Sequence, residues 1–125
     1  MDEFDSTNIF VNVSIDYLNL ERNNIQILQK GSFSSLRGTA KINLGFNRLR
    51  FIDDSLFQSN DSHLEILLLN NNKISNLIFL SANSFWHLTE LDVSFNLIEN
   101  LMFTDLMSLQ SLSKLNIGNN RLKFI

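Results

Sequence analysis

The stretch from Leu88 to Leu101, LTELDVSFNLIENL, carries the pattern that decides the fold of this chain. Aliphatic residues lie five and three positions before Asn96, and others lie two and five positions after it. The same frame surrounds every anchor asparagine of the chain: Asn23, Asn47, Asn72, Asn96 and Asn120. Successive anchors are 24, 25, 24 and 24 residues apart. A fixed period in this range indicates a solenoid, in which each coil packs against its neighbours.

The frame around each anchor has a physical explanation. Two apolar residues separated by one position form a short strand with one buried face. The turn that follows must satisfy its backbone groups, because buried N–H and C=O groups without partners are costly. An asparagine side chain offers both a donor and an acceptor for this purpose. We therefore expect a structural asparagine ladder, in which each amide bonds the backbone of its own coil and of the next one.

The return half of each coil is patterned as well. Phe33 and Leu36 in one coil, and Leu106 and Leu109 in another, extend the frame to L-x-x-L-x-L-x-x-N-x-L-x-x-L-x-x-x-x-F-x-x-L. This pattern resembles the 24-residue typical class of the leucine-rich repeat family over nearly the whole chain. Within the family, the chain looks like animal cell-surface arrays of the Toll-type receptor, chaoptin or slit kind. The resemblance implies an α/β solenoid with a concave parallel β-sheet and an irregular or short helical convex side.

Some coils depart from the family pattern. Thr39 stands where the first leucine of a coil belongs, and Ala82 replaces the convex phenylalanine. Phe85 and Trp86 lie close enough in sequence to compensate for the volume lost at Ala82. The second coil carries one extra residue around Phe57–Ser62, which predicts a small convex bulge.

The domain organisation follows from the same register. Residues 1–125 form a single array, with about five coils in 15–125 and a partial coil in 1–14. Phe4 and Ile9 take the positions of the second turn residue and the convex phenylalanine in an earlier coil. Neither end shows the polar cap that solenoids need, so we expect a fragment of a longer array. Otherwise a partner or a second copy caps the ends, and uncapped ends are expected to self-associate.

Composition narrows the function classes. The net charge of −3 argues against nucleic-acid binding. The aliphatic runs are far shorter than the roughly 20 residues that span a bilayer, so no transmembrane segment is predicted in this chain. The acidic start of the chain does not have the basic residues and apolar stretch of a signal peptide. The absence of cysteine fits a cytoplasmic as well as an extracellular location, because secreted arrays usually carry their cysteines in caps.

Two sequons are present, at Asn12-Val13-Ser14 and Asn60-Asp61-Ser62. They make Asn12 and Asn60 possible N-glycosylation sites, although this short motif is common by chance. Each asparagine falls thirteen residues after an anchor position, in a column that holds Leu36, Phe85 and Leu109 in other coils. The column indicates either a glycan on the outer surface or only a loosened convex loop.

No catalytic or cofactor site is predicted. His63 and His87 are 24 residues apart, so they fall in adjacent coils, but two histidines without a third ligand make a poor zinc site. The carboxylate pair Asp53-Asp54 follows an apolar turn and is interpreted as a solvated loop or a local cap. We therefore expect a protein that is not an enzyme.

The outward positions of the strands are the candidate binding site. Residues six and four positions before each anchor point away from the core on the concave side, and neighbouring coils set them side by side. These ligand-binding candidates are Tyr17, Asn19, Lys41, Asn43, Ile66, Leu68, Glu90, Asp92, Lys114 and Asn116.

Two neighbouring pairs stand out within this set. Ile66 and Leu68 are apolar among polar neighbours, and Glu90 with Asp92 forms an acidic strip beside them. An apolar patch with a polar rim indicates a protein-binding site, although isolated aliphatic residues are also tolerated in such strands.

The resulting hypothesis is non-enzymatic recognition of a protein ligand through the concave face, in an extracellular receptor or cell-adhesion protein. An intracellular scaffold or regulatory binding protein is the alternative. Phe46 and Phe95, each directly before an anchor, are interpreted as packed against the turn.

Overall fold

The computed structural model describes residues 3–4, 15–34, 36, 38–53, 55–56, 63–81 and 85–123. In chain order its strands are β1 (Glu3–Phe4), β2 (Tyr17–Asn19), β3 (Ile27–Leu28), β4 (Lys41–Asn43), β5 (Ile66–Leu68), β6 (Glu90–Asp92) and β7 (Lys114–Asn116). Two short helices complete these elements: a 3-10 helix (Ile78–Ser81) and α1 (Phe103–Leu106).

The main sheet is parallel and follows the order of the chain, β2-β4-β5-β6-β7. Every pair of neighbouring strands is in register one period apart, as in Ile66 opposite Glu90 and Leu67 opposite Leu91. Parallel strands need long return connections, and here the convex segments supply them with little helix. The predicted leucine-rich repeat solenoid is therefore confirmed.

The core lies between the sheet and the convex segments. Each described strand of the main sheet buries its central residue best, and in β5 Leu67 is only 1% exposed. Among the aliphatic residues after the anchors, Ile74 and Ile98 are both 0% exposed, whereas Leu101 and Leu122 near the end of the chain are only partly buried. Thr39, at the first leucine position, is buried too, and its Oγ1 has no hydrogen-bond partner among the described residues. The frame therefore marks buried positions, whichever residue type fills them.

Aromatic rings fill the convex side of the core. Phe79 and Phe85 are buried and meet edge to face, with their ring centroids 5.7 Å apart. Ala82 lies outside the described residues. Of the two aromatic residues that could replace the convex phenylalanine, Phe85 is buried whereas Trp86 remains 43% exposed. Phe85 therefore provides the buried volume, and Trp86 does not.

A second, two-stranded sheet joins the start of the chain to the first coil. β1 pairs in parallel with β3, so that Glu3 lies opposite Ile27 and Phe4 lies opposite Leu28. This is the same 24-residue offset that the repeat assigns to Phe4. Ile9 and the expected bulge at 57–62 lie outside the described residues.

The anchor asparagines form a hydrogen-bond ladder, and Asn72 is representative of it. Its Oδ1 accepts from the backbone N–H of Leu49 at 3.0 Å. Its Nδ2 donates to the carbonyl of Leu44 at 3.0 Å and to that of Leu69 at 3.1 Å. Each amide thus joins its own coil to the preceding coil, whereas the sequence analysis expected the next coil.

The other anchors occupy the same place in their coils. Asn47, Asn96 and Asn120 each accept from a backbone N–H of the preceding coil and donate to carbonyls of both coils. Asn23 donates to the carbonyl of Glu21 in its own coil. The ladder holds successive coils at a constant spacing, which is what places the concave side chains in columns.

Candidate functional site

All ten concave candidates lie on the five strands of the main sheet, and we call this set the concave face. Its first column contains Tyr17, Lys41, Ile66, Glu90 and Lys114, which the register sets in line. Its second column contains Asn19, Asn43, Leu68, Asp92 and Asn116. Neighbouring members of a column are about 4.8 Å apart, the spacing of hydrogen-bonded strands. The concave face is therefore a continuous surface about four strand spacings long.

The second column has a structural role that the sequence analysis missed. Asn19 Oδ1 accepts from the N–H of Glu21 at 3.0 Å, and Asp92 Oδ1 accepts from the N–H of Ser94 at 2.9 Å. The same bond from a residue two positions later recurs at Asn43 and Asn116. Such Asx turns start the bend after four of the five strands of the main sheet. The signal was present in the sequence, because Asn or Asp lies four positions before the anchor in four of the five coils.

These turn bonds change the list of candidate contact residues. Asn43 is only 8% exposed, and its Oδ1 is bonded to the N–H of Gly45. We therefore remove Asn43 from the residues expected to contact a partner. Leu68 is the exception in this column, because an aliphatic side chain cannot make the Asx bond.

The first column contains two internally paired groups. Lys41 Nζ lies 4.8 Å from the ring centroid of Tyr17, within the range of a cation–π contact. Lys114 Nζ lies 3.3 Å from Glu90 Oε1. The acidic strip expected at Glu90 and Asp92 is thus partly compensated, since a lysine of the next coil pairs with Glu90. The 24-residue repeat already sets these two positions side by side, so the pairing could have been predicted from the sequence.

Ile66 and Leu68 lie between these paired groups, on the central strand of the main sheet. Both side chains are half-buried, so the apolar spot is smaller than full exposure would make it. Its neighbours in the first column are Lys41 on one side and Glu90 on the other. The geometry is an apolar centre with a polar rim.

The two convex histidines lie next to each other. The rings of His63 and His87 are stacked with centroids 5.8 Å apart, which places the residues in adjacent coils. Trp86 also lies beside His87, with ring centroids 3.6 Å apart. Within the described part of the chain, no group of three or more His, Asp or Glu residues could hold a metal ion.

Two further candidates have structural explanations or cannot be placed. Asp53 Oδ1 accepts from the N–H of Ser55 at 2.8 Å, so this carboxylate caps a local turn. Asp54 and both possible glycosylation sites, Asn12 and Asn60, lie outside the described residues. Among the helices that the structure describes, none is long and apolar enough to cross a membrane.

The interpretation of Phe46 and Phe95 as packed residues is wrong. Their side chains are 38% and 52% exposed. Both residues have φ of +55°, a left-handed conformation that turns the side chain out of the coil. The ring of Phe46 instead lies under the guanidinium of Arg22, 3.9 Å from its centroid.

The parallel sheet, the 24-residue period and the asparagine ladder together define the leucine-rich repeat fold. The leucine-rich repeat domain of APL1B superposes with a TM-score of 0.77 and 25% identity, over 88% of this chain and 33% of that one. A chain of the LRIM1/APL1C complex gives 0.78 and 25% identity, over 89% of this chain and 21% of that one.

An internalin from Listeria monocytogenes has a TM-score of 0.63 and 21% identity, over 85% of this chain and 30% of that one. This likeness supports the fold alone. The chain thus spans a third or less of the length of these structures. No protein-family model and no curated protein sequence matches it. Domains of this fold generally bind proteins and are typically not enzymes.

Proposed function

We propose that this chain recognises a protein partner through its concave face, as part of an extracellular receptor or cell-adhesion protein. The observation that carries the proposal is the apolar pair Ile66 and Leu68 at the centre of the main sheet. Desolvated apolar residues near the centre of an interface tend to dominate its binding energy, while the rim contributes little. The concave side of a solenoid also suits an extended partner surface.

The rim of the concave face supports the same proposal. On one side of the apolar pair, Lys41 already contacts the ring of Tyr17. On the other side, Lys114 already pairs with Glu90. A partner that covers the apolar pair therefore does not leave these charges without neighbours, which lowers the desolvation cost of binding. Exposed parts of the rim steer association, and this effect weakens as salt shortens the screening length.

The comparisons support a protein-binding function. One matched structure is a complex between two named proteins, LRIM1 and APL1C. The extracellular location rests on the resemblance to Toll-type, chaoptin and slit arrays and on the two sequons. An antibody to the native protein should stain cells without permeabilisation. Staining only after permeabilisation would favour the intracellular scaffold instead.

The binding test uses a double substitution at the apolar centre. Ile66→Asp with Leu68→Lys places charges on the concave face without entering the core, so the fold should persist. The matched control is Ile78→Asp with Met102→Lys, which we call the flank variant. Both residues lie outside the concave face and are 63% and 61% exposed. Each purified chain is screened against an array of extracellular proteins, and its thermal unfolding is measured in parallel.

The concave variant should lose the partners that the wild type binds, whereas the flank variant should keep them. Both should unfold cooperatively, at temperatures close to that of the wild type. If the flank variant loses the partners and the concave variant keeps them, the binding face has been assigned to the wrong side of the solenoid.

A further inference from the structure

A second surface runs along the edge of the sheet where the strands end. We define the loop edge as residues from one before to three after each anchor: 22–26, 46–50, 71–75, 95–99 and 119–123. These residues include six of the ten Lys and Arg residues of the chain and one of its thirteen acidic residues. The loop edge is therefore basic although the whole chain has a net charge of −3.

Few of these charges are neutralised locally. The acidic residue of the loop edge, Glu99, pairs with Lys123 at 3.6 Å. The remaining cations have exposed side chains: Arg22, Arg48, Arg50, Lys73 and Arg121. They lie in the first three coils and the fifth, whereas the fourth coil contributes no cation to the loop edge. Asp16 and Glu65 lie at the opposite edge of the sheet, before their strands begin. Basic residues thus dominate the loop edge over its first three coils, which offer a positive surface there.

Phe46 and Phe95 lie on the same loop edge, in a conformation that suits neither residue. Both have φ of +55°, and bulky side chains are rarely found there. The conformation is imposed by the solenoid, since the N–H of Phe46 donates to Asn70 and that of Phe95 donates to Gly118 in the next coil. At the equivalent positions of the other three coils, Arg22, Asn71 and Asn119 have φ of +60°, +58° and +55°. Asparagine tolerates this conformation far better, so the two phenylalanines are not explained by the turn.

The aromatic rings and the cations form one surface. A cleft of about 370 Å³ opens on the loop edge and is lined by Arg22, Asn24, Phe46, Asn47, Arg48 and Asn71. The ring of Phe46 forms its apolar wall under the guanidinium of Arg22. Phe95 occupies the same register position two coils further on, about 10 Å away at the strand spacing of a sheet.

We propose that the loop edge binds an acidic, extended polypeptide segment that carries apolar side chains. The cations match its carboxylates, and the two exposed rings offer apolar contacts about two strand spacings apart. From Arg22 to Arg121 the loop edge spans about 19 Å, which six or so extended residues would cover at roughly 3.3 Å each. The amide groups of Asn24 and Asn71 provide donors and acceptors for a peptide backbone, whereas a sulfated polysaccharide would need donors and cations almost alone.

This interface is separate from the concave face, and the two can be tested apart. The probe is a fluorescein-labelled peptide in which pairs of Glu alternate with Leu or Phe, and binding is followed by fluorescence anisotropy at low salt. The informative variant is Phe46→Asn with Phe95→Asn. It introduces asparagine, the residue type that adopts the same backbone conformation at Asn71 and Asn119. We expect about tenfold weaker binding or more, with a melting temperature that is unchanged or higher.

The combination of lost binding and kept stability distinguishes a binding role from a packing role. A lower melting temperature in the double asparagine variant would show that the rings are structural and would overturn the proposal. Unchanged peptide affinity in that variant would overturn it as well. The concave variant Ile66→Asp with Leu68→Lys should bind the peptide like the wild type. If it does not, the peptide occupies the concave face and no second surface is needed.

Charge and ligand class are tested with the same assay. Arg48→Gln with Lys73→Gln should weaken binding and flatten its salt dependence, because fewer charges take part. A peptide with Lys in place of Glu should not bind, and one with Ala in place of Leu and Phe should bind weakly.

Heparin is tested against the wild type and the double asparagine variant. If it binds both equally, and more tightly than the peptide, the loop edge is a general polyanion site. Self-association of the labelled chain that the peptide cannot displace would identify a second copy as the occupant. Either result would contradict the proposal.

Discussion

At the scale of single residues, asparagine has three roles in this chain, and position decides which role it takes. Asn72 as an anchor is buried and satisfies the backbone of two coils. Asn19 closes an Asx turn, and Asn71 accepts a left-handed backbone. The anchor role could be predicted from the sequence because it recurs with a strict period. The Asx role could not be separated from partner contact, since the same alternation places both on the outward side of a strand.

The anchor role predicts a large effect of one substitution. Asn72→Ala removes an acceptor for Leu49 and donors for Leu44 and Leu69, and it leaves these backbone groups buried without partners. We expect the free energy of unfolding to fall by about 1–3 kcal/mol. Equilibrium denaturation in urea measures the change.

The matched control for this prediction is Asn23→Ala. Asn23 is half-buried and donates to a carbonyl of its own coil, so its loss should cost less. Equal costs for the two substitutions would mean that the ladder between coils does not contribute to stability as described.

At the scale of elements, the strands followed from the sequence and the return segments did not. Strand positions repeat because every coil must bury the same two aliphatic residues beside its neighbours. The convex side only has to fill volume, and it does so with different residues in each coil. α1 begins at Phe103 in the fourth coil, with Asp105 Oδ2 accepting from the N–H of Met102 at 2.9 Å, whereas the third coil uses a 3-10 helix. No periodic signal marks such solutions.

Close contact between neighbouring coils makes a second prediction at this scale. A Cβ added at Gly45 would lie 2.8 Å from Oδ1 of Asn70 in the next coil. Asn70 would have to rotate and give up its 3.0 Å hydrogen bond to Asn71. Gly45→Ala should therefore destabilise the chain by about 1 kcal/mol in chemical denaturation.

Gly118 occupies the equivalent position in the last coil and provides the control. A Cβ there would meet its nearest atom, Asn116 Oδ1, at an ordinary 3.4 Å. Gly118→Ala should be neutral or slightly stabilising, because alanine reduces the freedom of the unfolded chain. A loss at Gly118 as large as that at Gly45 would rule out contact between coils as the cause.

At the scale of the whole molecule, the fixed positions of the repeat build the solenoid, and we propose that the variable positions carry recognition. The repeat accounts for the sheet, the ladder and the core, and it placed all ten concave candidates on the strands of the main sheet, although Asn43 is buried there. It did not predict the pairing of Glu90 with Lys114, or the exposure of Phe46 and Phe95. The repeat sets Glu90 beside Lys114, so that pairing could have been predicted, whereas the exposure of the two rings depends on a backbone conformation that a repeat pattern does not contain.

Hydroxyl-radical footprinting of the chain, alone and with a partner captured in the protein screen, tests the central claim most directly. The account predicts that the partner lowers oxidation of Tyr17, Ile66 and Leu68 on the concave face. Oxidation of the exposed convex residues Phe103 and Met107, which are 81% and 62% exposed, should stay unchanged. Protection of Phe103 and Met107 without protection of the concave residues would contradict recognition through the concave face.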